Sequence, residues 1–107
     1  MARMIFVNLP VADLTRSMAF YEAIGFTNNP HFTDETAACM VWSEAIHTMI
    51  LTHQKWQTFT SRPIPGPALS EVMNCLSCES REEVNQIANA AGANGGTADI
   101  NLQQDHG

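Results

Sequence analysis

The hydrophobic pattern of the first 26 residues predicts a buried strand followed by a capped helix. Four apolar residues lie within residues 5–9, and Pro10 closes the run, which is typical of a strand. Asp13 stands where a helix N-cap is expected, because its carboxylate can accept hydrogen bonds from the free amides of the first turn. Apolar residues then recur at helical spacing, and Gly25 is the expected stop. The apolar stripe consists of Leu14, Met18, Tyr21 and Ile24.

A similar pattern returns in the second half of the chain. A second apolar run holds Val72, Cys75 and Leu76 and predicts another strand, and Ser80 with Glu83 forms an S-x-x-E capping box. The following apolar stripe ends at Gly92, the predicted stop of the second helix. Asp13 to Ser80 and Gly25 to Gly92 are both offsets of 67 residues, which predicts a duplicated unit. The second stripe consists of Val84, Ile87, Ala88 and Ala91.

The segment between the two helices predicts an antiparallel hairpin. Turn-forming residues occupy positions 28–30, so a loop or irregular edge strand is expected there. Residues 37–43 and 46–52 are predicted to be strands joined by a short turn, which makes the first unit β-α-β-β-β. Side-chain alternation in the second of these strands predicts two faces. Ile46, Thr48, Ile50 and Thr52 belong to one face, and His47, Met49, Leu51 and His53 belong to the other.

The remaining segments predict a linker and an incomplete second unit. Residues 54–61 favour a short helix with Trp56 and Phe59 at i, i+3, and residues 62–67 contain three prolines and one glycine. After Gly92, alternating Ala98, Ile100 and Leu102 favour one more strand. We therefore expect a single domain over residues 1–107. Its parts are a first module at 1–61, a Pro-rich linker at 62–69 and a partial second module at 70–107.

Composition narrows the class of protein. A chain of 107 residues with 45% hydrophobic and 15% charged residues is typical of a small globular domain. The net charge of −6 argues against nucleic acid or an anionic membrane as a partner. The sequence has no apolar run long enough to span a bilayer and no signal-peptide pattern. With three cysteines, it predicts a cytoplasmic location with reduced thiols.

The first unit resembles a known superfamily. The likeness lies in the apolar first strand and in four short features: Asp13-Leu14, Arg16-Ser17, Phe20-Tyr21 and Gly25-Phe26. These resemble the opening of the glyoxalase / bleomycin resistance protein / extradiol dioxygenase group, the vicinal oxygen chelate superfamily. The resemblance extends to about residue 92 and implies an α+β fold of paired βαβββ modules. In that family two modules curl into a cup around a ligand, often in a dimer, so a homodimer is expected.

The resemblance also implies where a metal would bind. Family ligands are His, Gln or Glu, and their positions fall on Phe6, Ile50 and Met73, with a fourth in a final strand that this chain does not contain. None of these side chains can ligate a hard or borderline divalent metal, so no metal cofactor is expected. His47 and His53 share a strand face but stand about 20 Å apart, and they are expected to lie away from the cup.

A small-molecule pocket is the remaining functional expectation. If the fold holds, the predicted lining is apolar with one amide and one hydroxyl, which resembles a site for a small organic molecule. Filling of an ordinary core is an equal alternative. Trp42 and Trp56 are candidates for stacking on a ligand. The predicted lining residues are Phe6, Asn8, Thr48, Ile50 and Met73.

Three classes of function follow from these observations. The leading hypothesis is a metal-independent small-molecule-binding protein, similar to the drug-sequestering members of the family. The alternative is a lactoylglutathione-lyase-like or dioxygenase-like metal-dependent enzyme, and an interaction module without a ligand is a third. Because the second module is predicted to be incomplete, either the natural chain is expected to continue past Gly107 or a partner supplies the missing strands. A strand edge left bare would favour aggregation.

Overall fold

The structure, a computed structural model, describes residues 3–66, 68–70 and 72–97. Within these residues it contains four strands and three α-helices, with a short 3₁₀ turn at Pro30–Phe32. None of the described helices is long and apolar enough to cross a membrane. The strands are β1 (Ile5–Val11), β2 (Thr27–Asn29), β3 (Ala37–Val41) and β4 (Ile46–Thr52), and the helices are α1 (Leu14–Ala23), α2 (His53–Trp56) and α3 (Arg81–Ala93).

The strands form one mixed sheet in the order β1-β4-β3-β2. β1 runs parallel to β4, whereas β3 is antiparallel to both β2 and β4. The β3–β4 hairpin closes through mutual hydrogen bonds between the backbones of Ser43 and Ile46. The predicted β-α-β-β-β order of the first unit is confirmed, and the fold class is α+β.

Helix α1 begins and ends at the predicted residues. The Asp13 carboxylate accepts a hydrogen bond from the backbone amide of Arg16 at 3.1 Å, which satisfies one free donor of the first turn. Gly25 has a φ of 115°, and only glycine adopts this left-handed backbone without steric cost. A β-carbon at Gly25 would also lie 3.3 Å from the Trp42 ring. Gly25 therefore ends the helix and leaves room for the Trp42 indole.

The core lies between α1 and one face of the sheet. Its buried residues come from the end of α1, the start of β2 and the two central strands. Leu14, Met18 and Tyr21 pack against this cluster, as the helical spacing predicts. The buried cluster consists of Ile24, Phe26, Ala38, Met40 and Ile50.

Helix α3 confirms the predicted cap but not the predicted stop. The Ser80 hydroxyl accepts from the Glu83 amide at 3.0 Å, while the Glu83 carboxylate reaches the amide of Glu79 rather than that of Ser80. The helix runs through Gly92, and the residue with positive φ is Gly95, at 99°. The prediction of a stop at Gly92 is therefore wrong. The helix has 13 residues against 10 in α1, so the repeat keeps register at its start only.

The apolar stripe of α3 is partly confirmed. Ile87, Ala90 and Ala91 pack against the core beside α1, whereas Val84 is 50% exposed. The strand predicted around Val72, Cys75 and Leu76 is not formed. The described residues from 72 to 80 contain neither strand nor helix. A strand needs hydrogen-bonded neighbours. The predicted strand at Ala98, Ile100 and Leu102 lies outside the described residues.

The loop before β3 turns around the carboxylate of Asp34. One oxygen accepts from the Thr36 hydroxyl at 2.7 Å, the Thr36 amide at 2.7 Å and the Ala37 amide at 3.0 Å. The Thr36 hydroxyl, followed by these backbone donors, holds the pKa of Asp34 below its ordinary value of 3.8. The ionised form is therefore favoured by folding.

Asp34 should make stability depend on pH in a defined direction. Because its folded pKa is lowered, its contribution is present above 3.8 and is lost as the pH falls through the folded value. Asp34→Asn should therefore be less stable than wild type at neutral pH, with a gap that closes below 3.8. Urea unfolding across this range measures the gap, and Glu35→Gln is the matched neighbouring control. A gap that stays constant with pH would contradict this role for the carboxylate.

Candidate functional site

The sheet has two faces with different neighbours. The α1 face carries Leu9, Thr48 and Ile50, since Leu9 pairs with Ile50 and the latter lies in the core under α1. Phe6 pairs with His47, and Asn8 with Met49, so these side chains project from the opposite face. Because α2 contacts β1 and β4 on this second side, we call it the α2 face.

A short helix and turn form the roof of the α2 face. The Thr52 hydroxyl caps α2 by accepting from the Lys55 amide at 3.1 Å. The turn continues through a backbone hydrogen bond from Phe59 to Trp56 at 3.0 Å. The Gln57 side-chain amide then donates to the carbonyls of Thr60 and Arg62 at 2.8 and 3.1 Å. These contacts hold Trp56 and Phe59 over the sheet.

A cavity of about 400 Å³ lies between this roof and the sheet. Asn8 and Leu51 come from the sheet, and Trp56, Phe59 and Thr60 come from α2 and the turn after it. The lining has no charged side chain, although the Lys55 ammonium lies 5.4 Å from the centre of the Phe59 ring. The Asn8 amide nitrogen donates to the Phe6 carbonyl at 3.1 Å, which orients the side chain. The arrangement offers two aromatic rings and an amide to a ligand.

The structure does not bring the five predicted lining residues together. Asn8 lines the cavity, and Phe6 lies on the same face but is not part of the lining. Thr48 and Ile50 belong to the α1 face and are 6% and 0% exposed. Met73 is 82% exposed and lines a different cavity on the α1 side. The prediction that all five share one face is wrong, because the pairing of β1 with β4 places Phe6 beside His47. Thr48 and Ile50 then project from the opposite face of the sheet.

Sequence reasoning missed most of the lining. Trp56 was expected as a stacking residue and does line the cavity, whereas Trp42 lies beside Gly25 in a separate groove near α3. Leu51, Phe59 and Thr60 were not predicted to line it. The spacing of Trp56 and Phe59 along the chain was the available signal. Both side chains reach the same cavity.

His47 is the most buried polar side chain on the α2 face. It is 7% exposed, and its Nδ1 has no hydrogen-bond partner among the described residues. The Phe6 ring stacks on the imidazole with centroids 4.4 Å apart and planes 14° apart. His47 lies on the face opposite Ile50, as side-chain alternation predicts, and shares that face with Phe6 and Asn8. His53 instead begins α2, six residues further along the chain.

The described residues do not fit the metal centre that the family implies. Phe6 and Ile50 lie on opposite faces of the sheet, and neither they nor Met73 offers an oxygen or nitrogen donor. Among the described residues, His47 is the histidine whose ring stacks on Phe6. Across the described ranges, no three His, Cys, Asp or Glu side chains come close enough to hold an ion. We therefore derive no chemistry through a metal.

Comparisons with known proteins agree with this fold. The profile of the family described as bleomycin resistance protein-like N-terminal matches residues 3–43, which span β1 to β3. A hypothetical protein, SA1046 from S. aureus, has a solved structure that is similar with a TM-score of 0.71 and 27% identity. The similarity covers 89% of this chain and 72% of that one. No curated protein matches the sequence. The match of residues 3–43 supports the resemblance of the first unit to the glyoxalase / bleomycin resistance protein / extradiol dioxygenase superfamily.

Proposed function

We propose that this protein binds a small organic molecule on the α2 face without a metal. The observation that carries the proposal is the cavity of about 400 Å³ roofed by Trp56 and Phe59. Its volume lies in the range of drug-sized ligand sites, which run from roughly 300 to 1,000 Å³. The mixture of aromatic rings with a few polar groups is also typical of such sites.

The lining favours a ligand with a flat aromatic part. Trp56 and Phe59 supply ring surface, and Leu51 supplies an aliphatic floor that is 3% exposed. Stacked or edge-on aromatic pairs contribute about 0.5–1.5 kcal/mol beyond the burial of their area. The Asn8 amide and the Thr60 hydroxyl can orient a polar substituent. Specificity then comes from the ring system, with one or two hydrogen bonds fixing its direction.

Metal independence is supported by the donor chemistry of the same face. Phe6 occupies the position on β1 where a family ligand would stand, and its ring covers His47 instead of binding an ion. A single imidazole does not make a divalent site, because such sites use three or four protein ligands. Binding through the cavity needs none of these donors.

Fluorescence with metal-free bleomycin tests this function. In Trp42→Phe protein the emission comes from Trp56 alone, since the chain has two tryptophans. We expect a saturable change in Trp56 emission with the same apparent Kd in buffer and in excess EDTA. Bleomycin is the probe because the matching family carries its name, and its planar aromatic part suits the cavity.

Two outcomes would contradict the proposal. Loss of binding in EDTA, together with stoichiometric zinc or manganese retained by the ligand-free protein, would support a metal-dependent protein instead. Saturable binding seen by calorimetry, with Trp56 emission unchanged, would place the ligand elsewhere. Trp56→Phe protein, which emits through Trp42 alone, is the matched control and should show no saturable change at low probe concentration.

A cytoplasmic location belongs to the same proposal. Support comes from Cys39, Cys75 and Cys78, all of which are free thiols. The homodimer and the absence of nucleic-acid and membrane partners stay predictions from the sequence. Fractionation of cells followed by immunodetection would test the location, and recovery in an oxidising compartment would contradict it.

A further inference from the structure

A second cavity lies on the α1 face of the sheet, away from the proposed ligand site. Its volume is about 570 Å³. β1 and β4 form its floor, α1 forms one wall and residues 72–76 form the other. Its lining consists of Ile5, Val7, Leu9, Phe20, Tyr21, Ile24, Phe26, Ile46, Thr48, Val72, Met73, Asn74, Cys75 and Leu76. The sheet separates this cavity from Trp56 and Phe59.

The lining contains no charged residue, although the chain carries a net charge of −6. Burial of an unpaired charge against such a surface is unfavourable, so the cavity selects against ions. Thr48 is the polar residue of the floor and is 6% exposed. A threonine hydroxyl can both donate and accept a hydrogen bond, so Thr48 can pair with a polar group of a ligand in the cavity.

We propose that this cavity binds a neutral, apolar small molecule that carries one hydrogen-bonding group, such as a carbonyl, directed at Thr48. The volume suits a ligand of drug size. The uncharged lining disfavours ionic ligands, and the Thr48 hydroxyl on the floor supplies an orienting contact. The proposal is independent of the function proposed for the α2 face, because the two cavities share no lining residue.

Cys75 provides a reporter inside this site. It is exposed and lines the cavity, whereas Cys78 stands three residues away and does not. Burial, followed by the Glu83 carboxylate, raises the pKa of the Cys78 thiol, and Cys39 is buried. Alkylation by iodoacetamide can be followed at each cysteine separately by peptide mass spectrometry. The probe is the neutral naphthyl ketone PRODAN, whose fluorescence reports an apolar environment.

PRODAN should bind and slow alkylation of Cys75 by roughly tenfold at ten times its Kd, because about one tenth of the protein is then free. The alkylation rate of Cys78 should not change. Val72→Trp, which places an indole in the cavity, should abolish both effects. Thr48→Val should weaken PRODAN roughly fivefold, the loss of one hydrogen bond, while binding of 2-ethylnaphthalene, which lacks the carbonyl, stays the same.

Trp56→Ala should leave PRODAN binding at this cavity unchanged and so separates the two sites. Protection of Cys75 that is lost in Trp56→Ala, or PRODAN binding without protection of Cys75, would overturn the proposal. Cys75 could also be protected in the absence of PRODAN, to an extent that grows with protein concentration. That result would show that a second copy of the chain covers the cavity, and it would overturn the proposal. Absence of PRODAN binding to the intact wild-type protein would likewise refute it.

Discussion

Replacing Ile50 with alanine is expected to lower the free energy of unfolding by about 2–5 kcal/mol. The side chain is completely buried between α1 and the sheet, in contact with the cluster that includes Met40 and Ile24. Truncation removes apolar contacts and leaves a cavity that the tightly packed strands cannot close. Urea unfolding measures the change. Ligand binding on the α2 face should be retained, since Ile50 faces the other way.

Ile46→Ala is the matched control for this prediction. Ile46 lies on the same strand and the same face but is 39% exposed, so its truncation should destabilise clearly less than that of Ile50. Equal losses at the two positions would contradict the assignment of Ile50 to the core. A fall in ligand affinity for Ile50→Ala, with stability unchanged, would restore Ile50 as a residue of the ligand site.

Replacing Trp56 with alanine should weaken metal-free bleomycin by about 2 kcal/mol, or roughly thirtyfold. Its indole forms part of the roof of the cavity, and aromatic anchors of this kind carry most of the affinity of a small site. Isothermal titration calorimetry in EDTA measures the effect without relying on tryptophan emission. Stability should fall little, because no fully buried side chain is lost.

Trp42→Phe is the control for Trp56→Ala. Trp42 packs against Phe26 with ring centroids 5.1 Å apart and lies beside Gly25 rather than in the ligand cavity. Its replacement should leave bleomycin affinity within about twofold of wild type, because substitutions far from a site change its free energies by only a few tenths of a kcal/mol. The proposed site would be contradicted if Trp42→Phe weakened binding as much as Trp56→Ala.

Local signals in the sequence predicted the first unit well. The Asp13 cap, the α1 stripe and the Gly25 stop depend on residues close together in the chain, so hydrogen-bonding chemistry and helical period are sufficient to place them. The hairpin is similar, since its two strands are separated by a short turn. The β-α-β-β-β order of the first unit followed from these features.

The faces of the sheet were predicted wrongly for a physical reason. Side-chain alternation divides one strand into two sets, but it does not say which set of a neighbouring strand lies on the same side. That relation depends on register, and the pairing of Phe6 with His47 is a contact between residues far apart in sequence. The resemblance placed both Phe6 and Ile50 in one cup, whereas the register puts Phe6 beside His47 and puts Ile50 beside Leu9 on the opposite face.

The second unit shows the limit of reading a repeat from sequence. Ser80 confirmed the offset at the start of α3, but Gly95, not Gly92, is the left-handed residue at its end. Helix interiors tolerate a glycine at a cost of about 1 kcal/mol, so Gly92 alone could not fix the boundary. The predicted strand before α3 lacked hydrogen-bonded neighbours, which no local pattern can supply.

Metal-free bleomycin is expected to bind on the α2 face, in the cavity under Trp56. The most direct measurement is the shift of the two indole N–H signals in an NMR spectrum of ¹⁵N-labelled wild-type protein titrated with metal-free bleomycin in EDTA. The Trp56 signal should move progressively and saturate while the Trp42 signal stays in place. A shift confined to Trp42, or binding that leaves both signals unchanged, would contradict this account.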